Sequence, residues 1–229
     1  MSDTGPRLVV AVDGPSGAGK SSASRGAAAA LGLRYLDTGA MYRALTWWLL
    51  DRGADVSDPG EVAGRAAEPV IEVSTDPLAP WTRVDGTDVS AAIRTREVTA
   101  AVSAVAAVPA VRAHLIAMQR GIIAAAPGIV AEGRDIGTVV APDASVKVFL
   151  TADGAARATR RAAEAIWSAA ATQADQDRRD RLDAAQSEKA TDAVMIDSTG
   201  LGLDEVVDTI VRLAREHADI PFPRQKSRS

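Results

Sequence analysis

Short apolar runs alternate along the chain with longer stretches whose apolar positions recur at helical spacing. Leu8 to Val12, Arg34 to Leu36, Ile129 to Ala131, Val146 to Leu150 and Val194 to Ile196 read as strands. Between the first two lies an Ala-rich helical stretch from Ser22 to Leu31, stopped by Gly32. After the second, the pattern predicts a helix from Thr38, placed as its N-cap, to Asp51, with a stop at Gly53. Met41, Leu45, Trp48 and Leu49 share one side of it, and at least one of Trp47 and Trp48 belongs to the core. Asp58-Pro59 reads as a cap and first-turn pair for a short helix to about Ala67. Thr95 to Val108 and Pro109 to Ala125 read as two successive helices closed by Pro127-Gly128. A helix follows Asp153, and Leu203 to His217 closes the pattern with Val206, Val207, Ile210 and Leu213 on one side.

One stretch breaks this rhythm. From Pro69 to Ser90 the residues alternate, as in Val70-Ile71-Glu72-Val73-Ser74 and Trp81-Thr82-Arg83-Val84, with Asp85-Gly86 as a hairpin turn. This predicts a small β-rich insertion between helices. Elsewhere the alternation of strand and helix predicts an α/β fold, a mostly parallel sheet with helices on both faces. No internal repeat or clean linker divides the chain.

Composition narrows the function. A chain of 229 residues, 47% hydrophobic and 24% charged, has enough material for one sizeable core or one domain with an insertion. A net charge of −4 argues against general nucleic-acid binding. The absence of cysteine excludes disulfides and thiolate zinc sites. His114 and His217 are far apart in sequence, which disfavours a His-based metal site or a Ser-His-Asp triad and leaves them as surface or packing residues. No stretch approaches the roughly 20 apolar residues of a membrane span, and the N-terminus lacks a basic-then-apolar signal, so the expected location is the cytoplasm. The Pro- and Arg-containing tail from Ile220 is expected to be disordered.

The chemistry concentrates in Gly14-Pro15-Ser16-Gly17-Ala18-Gly19-Lys20-Ser21, followed by Ser22. Glycines, Lys and Ser stand at the spacing of a phosphate-binding loop, between a strand and a helix. Such a loop curls backbone N–H groups around a polyphosphate at a helix N-terminus. Lys20 is placed to reach the outer phosphates and Ser21 to complete a Mg²⁺ shell. A second charged group, Glu132-Gly133-Arg134-Asp135, ends the strand from Ile129, where open α/β sheets put their ligands. Glu132 is a candidate to hold a Mg²⁺-bound water there. Arg157, Arg160 and Arg161 follow on a helix, and Arg178, Arg179 and Arg181 lie in a polar stretch from Ser168 to Lys189. Arg157, Arg161, Arg178 and Arg181 are balanced between site residues and solvated surface charges.

Together these segments resemble the bacterial cytidylate kinases over nearly the whole chain. The resemblance rests on Asp13 to Lys20, Asp37-Thr38-Gly39-Ala40-Met41-Tyr42-Arg43, Ile93-Arg94-Thr95, Glu132 to Val140 and Pro142-Asp143-Ala144. It implies a P-loop NTPase fold with a parallel five-stranded sheet, a monophosphate-binding domain enlarged by the β-rich insertion, and a lid. The chain is then one domain over 1–229: core segments at about 7–57, 109–160 and 192–218, the insertion at about 58–108 and the lid at about 161–191. It implies Mg²⁺-dependent transfer of the γ-phosphoryl group of ATP to CMP or dCMP. Residue by residue, Arg43 and Arg134 hold the CMP phosphate beside Thr38. Ser103, Arg112 and Asp135 read the cytosine edge, Arg179 and Asp183 reach the nucleotide from the lid, and Arg160 lies near the ATP phosphates. Lys20, Arg134, Arg160 and Arg179 are the expected catalytic cations. The expected partners are ATP, CMP and dCMP, with no nucleic acid, no membrane and no second copy of the chain.

The lid departs from the family. After Arg179-Asp180-Arg181-Leu182-Asp183, Gln186 stands where an arginine on the substrate phosphate is expected, and a few residues including Ser-Pro-Leu are missing before Asp192. A neutral amide cannot replace a bidentate phosphate contact, which implies a loss of roughly 10- to 100-fold. The alternatives this raises are a paralogue acting on a modified cytidylate and a nucleotide-binding protein with weakened catalysis.

Overall fold

The computed structural model describes residues 7–164 and 187–217. Its centre is a parallel five-stranded sheet in the order β2-β6-β1-β7-β8, where β1 is Val9–Asp13, β2 Arg34–Asp37, β6 Ile129–Gly133, β7 Val146–Thr151 and β8 Val194–Asp197. The five apolar runs of the sequence are these five strands. β1 is central, in register with β6 from Val9↔Ile129 to Asp13↔Gly133 and with β7 from Val10↔Val146 to Asp13↔Phe149. β2 extends the same register from Arg34↔Ile129 to Asp37↔Glu132. All strands point one way, so Asp13, Asp37 and Glu132 finish at one edge of the sheet.

Each face of the sheet buries its own core. On one face, Val10, Val12, Tyr35, Val130, Val148 and Leu150 pack against α1 (Lys20–Leu31) and α7 (Leu203–His217) through Ala23, Ala27, Val206 and Ile210. On the other, Ala11, Leu36, Ala131 and Ile129 meet α2 (Thr38–Asp51), α4 (Arg96–Ala106) and α5 (Pro109–Ala125) through Met41, Leu45, Val105, Val111 and Leu115. The expected helices on both faces are present. The α1 cap agrees with its glycine: Gly32 is left-handed at φ 67° and its N–H bonds the carbonyls of Ala28 and Ala29.

The insertion is a three-stranded antiparallel sheet of β3 (Ile71–Val73), β4 (Thr82–Val84) and β5 (Thr87–Asp88), preceded by α3 (Pro59–Arg65). Asp85 and Gly86 both take positive φ, 50° and 79°, as a two-residue hairpin turn requires. Asp85 also accepts from Val70 N at 2.9 Å and from Trp48 Nε1 at 2.9 Å. Trp48 is buried on α2, and its ring is covered by the guanidinium of Arg65 at 4.9 Å from the centroid. The insertion is therefore fixed to α2. Ile71, Val84, Val89 and Ile93 share one apolar core with the sheet face.

Several boundaries differ from the sequence reading: α1 begins at Lys20 rather than Ser22, and α4 runs from Arg96 to Ala106 rather than from Thr95 to Val108. The cap of α2 is Asp37, whose side chain accepts from Ala40 N at 2.8 Å. Thr38 is already helical, and its hydroxyl donates instead to the Glu132 carbonyl at 2.7 Å. α3 ends at Arg65 rather than near Ala67, with Ala66 as its C-cap. The basic tail from Ile220 lies outside the described residues.

Leu45 is fully buried between α2 and the sheet. Leu45→Ala is expected to destabilise the protein by about 2–5 kcal/mol. Urea denaturation checks this: the midpoint falls with the slope unchanged, whereas an unchanged midpoint contradicts the close-packed core.

Candidate active site

The loop after β1 is shaped by steric necessity. Gly14 takes φ 147°, and a Cβ there would lie 2.0 Å from the Leu150 carbonyl oxygen. Any side chain would push the loop off β7. Gly19 caps α1 in the left-handed region at φ 88°, with no side-chain hydrogen bond to the helix. The N–H groups of the first turn are left to an anion. Lys20 begins that turn and folds back to donate to the Pro15 carbonyl at 2.9 Å.

Arginines line the outside of this loop. Arg160 donates to Ser198 Oγ at 2.8 Å, to the Ser198 carbonyl, and to the Ala18 carbonyl at 3.4 Å. Ser198, 1% exposed just after β8, stands 3.2 Å from the same Ala18 oxygen. Arg157 donates to the Ser16 carbonyl at 3.2 Å. Arg157 thus braces the loop and is not a free surface charge. Its spacing of three from Arg160 places both on one side of α6 (Gly154–Glu164).

A second group of charges sits one strand away. Arg43, on α2, bonds Asp37 Oδ2 at 2.8 Å. Arg94 reaches the same oxygen at 3.9 Å. Two guanidiniums share one carboxylate, and Arg43 Nε is buried with no partner among the described residues. The cluster carries excess positive charge and a spare donor, which suits a phosphate dianion. Arg134 joins the two groups by donating to the Gly14 carbonyl at 2.7 Å.

Between the groups lie buried carboxylates. Glu132, 3% exposed, accepts from Tyr35 Oη at 2.5 Å and from the Ser21 hydroxyl. Burial first, and then neighbouring Asp37, push its carboxyl above the usual range. Lys20 is pushed below the usual ammonium range by burial and then by Arg134, while Glu132 and Asp13 act in the opposite sense. The two expected metal-site residues, Ser21 and Glu132, are therefore neighbours. A hydroxyl and a carboxylate are the hard oxygen donors that Mg²⁺ takes. Among the described residues, no cluster of three or more acidic or His side chains forms a metal cage.

On the far side of Arg134, Asp135 is 7% exposed and paired with Arg112 of α5. Asp13 fixes this segment: its two oxygens accept from Ile136 N at 2.8 Å and Gly137 N at 2.7 Å. Burial pushes the Asp13 carboxyl up, and these two N–H groups oppose that shift. Gly133 lets β6 run under α2, since a Cβ would lie 2.7 Å from Thr38 Oγ1. Ser103 is buried on α4. Of the residues expected from sequence, the structure gathers the loop from Gly14 to Ser21, with Thr38, Arg43, Glu132, Arg134 and Arg160, at one edge, and sets Arg112 with Asp135 beside them. Ser22 lies in the first turn of α1. Arg179, Asp183 and Gln186 lie outside the described residues. Asp13, Tyr35, Asp37, Arg94 and Ser198 were not singled out as site residues. Position alone, at or just past a strand end, could have flagged Asp13, Asp37 and Ser198.

Comparison with known proteins agrees with this arrangement. The family model described as cytidylate kinase matches residues 10–216. A cytidylate kinase of Streptomyces griseus is 55% identical over 212 residues, covering 90% of this chain and 92% of its own. Those of Streptomyces avermitilis and Nocardia farcinica are 50% and 49% identical, covering 93% and 94% of this chain and 95% and 97% of their own. With the family model and these relatives matching over nearly its whole length, the chain belongs to the cytidylate kinase family.

Proposed function

We propose that this protein transfers the γ-phosphoryl group of ATP to CMP or dCMP, giving ADP and CDP or dCDP. The observation that supports it most is Arg134, bonded to the donor loop at Gly14 and one residue from the buried Asp135–Arg112 pair. A single short segment therefore serves a polyphosphate on one side and a polar ring edge on the other.

In this reading the acceptor phosphate lies against Arg43, Arg94 and Arg134, with Thr38 at its base. Its oxygen attacks the γ-phosphorus in line. The new O–P bond forms as the bond to the bridging oxygen of ADP breaks. Little covalent help is needed; the work is to align two phosphates and neutralise charge between them. Lys20, Arg134 and Arg160 are placed to do that, and Arg179 joins them if the lid expected over 161–191 closes. Ser21 and Glu132 would hold Mg²⁺, which supplies charge neutralisation on the donor phosphates. Arginine suits the clamp because its planar fork binds phosphate bidentately and stays charged.

Base selection follows from Asp135. Its carboxylate accepts from the exocyclic amine of cytosine, whereas uracil presents a carbonyl oxygen there. A site built for an N–H donor rejects the analogue lacking it by as much as roughly 10⁴-fold.

A coupled assay for ADP release tests the reading: release that requires CMP or dCMP supports it, and release indifferent to both overturns it. Asp135→Ala is expected to raise KM for CMP and narrow the preference for CMP over UMP; an unchanged preference removes Asp135 from base reading. Lys20→Met is expected to abolish transfer while leaving the protein as stable as the parent or more so, because a partly buried ammonium, held below its ordinary range by desolvation and by Arg134, is lost. Thermal unfolding decides that point, and a large fall in the midpoint contradicts it.

A further inference from the structure

Two polar groups behind the Arg112–Asp135 pair have no use in the ligand-free protein. The Tyr42 hydroxyl and Gln119 Nε2 are both buried without a hydrogen-bond partner among the described residues. Gln119 is only 1% exposed, on α5 two helical turns beyond Arg112. Tyr42 lies on α2, one turn beyond Thr38 and next to Arg43. Burial, the largest influence, takes its hydroxyl to about 12; Arg112 and Gln119 lower it and Asp135 raises it, so all three act on the hydroxyl electrostatically. The Gln119 amide acts on the hydroxyl electrostatically, yet neither group has a hydrogen-bond partner of ordinary geometry among the described residues.

Leaving a buried polar group unmatched costs stability. Two such groups facing one ion pair indicate a partner that arrives with a ligand. In the ligand-free protein Arg112 and Asp135 satisfy each other. A cytosine edge competes for both, taking Asp135 oxygens with its amine and Arg112 donors with its carbonyl and ring nitrogen. A phenol hydroxyl both donates and accepts, so it can bond whichever group the base displaces.

We propose that the Tyr42 hydroxyl, backed by the Gln119 amide, is a positioning group for the acceptor base, anchoring Arg112 and Asp135 when cytosine comes between them. This rests on the assignment of Arg112 and Asp135 to base reading. Tyr42 then contributes nothing to the fold through its hydroxyl and acts only once the acceptor is bound.

The test is Tyr42→Phe, with Gln119→Met as a second variant, measured by thermal unfolding and by steady-state kinetics with CMP and UMP. For Tyr42→Phe, the expected result is an unfolding midpoint equal to or above that of the parent. KM for CMP rises about 10-fold with kcat nearly kept, and the CMP-over-UMP preference shrinks. Gln119→Met gives a smaller shift in the same direction. A lower midpoint for Tyr42→Phe would mean that the hydroxyl is already satisfied without ligand, and would overturn the proposal. An unchanged KM and preference would overturn it equally. Asp135→Ala in the same assays separates the two ideas: if it leaves the preference intact, the base-reading assignment fails, and if it abolishes the preference while Tyr42→Phe does not alter it, only the role of Tyr42 fails.

Discussion

Two backbone hydrogen bonds to one buried carboxylate set the geometry of the whole site. Asp13 ends the central strand, and its oxygens hold the N–H groups of Ile136 and Gly137 at 2.8 and 2.7 Å. The next residue of the chain, Gly14, opens the phosphate loop; the residues just before Ile136 are Arg134 and Asp135. One side chain thus fixes the glycine loop against the segment that carries Arg134 and Asp135, the two parts to which the proposed function assigns donor and acceptor. Arg134 repeats the tie with its bond to the Gly14 carbonyl. Parallel strands in register deliver these ends to one edge, so the sheet supplies the precision and the loops supply the chemistry.

Charge at that edge is held by internal acceptors. Lys20 turns back onto Pro15, Arg43 and Arg94 share Asp37, and Arg112 takes Asp135. In the proposed reading a phosphate or base takes over from these internal acceptors. Burial works against the charged forms of Lys20, Glu132 and Asp13 alike. A protein built for stability alone would not gather such groups in one desolvated place; the gain comes when polyanions enter and water leaves. The unmatched Arg43 Nε and Tyr42 hydroxyl belong to the same pattern.

The sequence made the framework legible because strong signals agreed at each level. Five apolar runs became five strands, Asp85-Gly86 became the hairpin turn, and Pro109 began a helix where its missing N–H costs nothing. The glycine loop was legible for the same reason, since each position has one steric or chemical demand. What stayed hidden depends on tertiary placement. Thr38 and Asp37 are both good caps, and only the Glu132 carbonyl beneath Thr38 decides between them. Arg157 looked like any helical arginine until its helix was laid along the loop. Tyr42 sat inside a recognised motif, yet its unmatched hydroxyl is visible only where α2, α5 and the turn after β6 meet.

The central claim is that donor and acceptor cradles face each other across one edge of the sheet. The most direct measurement is a crystal structure with a bisubstrate analogue, adenosine joined to cytidine through a polyphosphate chain. The account predicts the phosphate chain running from the loop at Gly14 to Ser21 across to Arg43 and Arg134, with the cytosine beside Asp135 and Arg112. A cytidine end bound anywhere else, or a chain that bypasses Arg134, would contradict it.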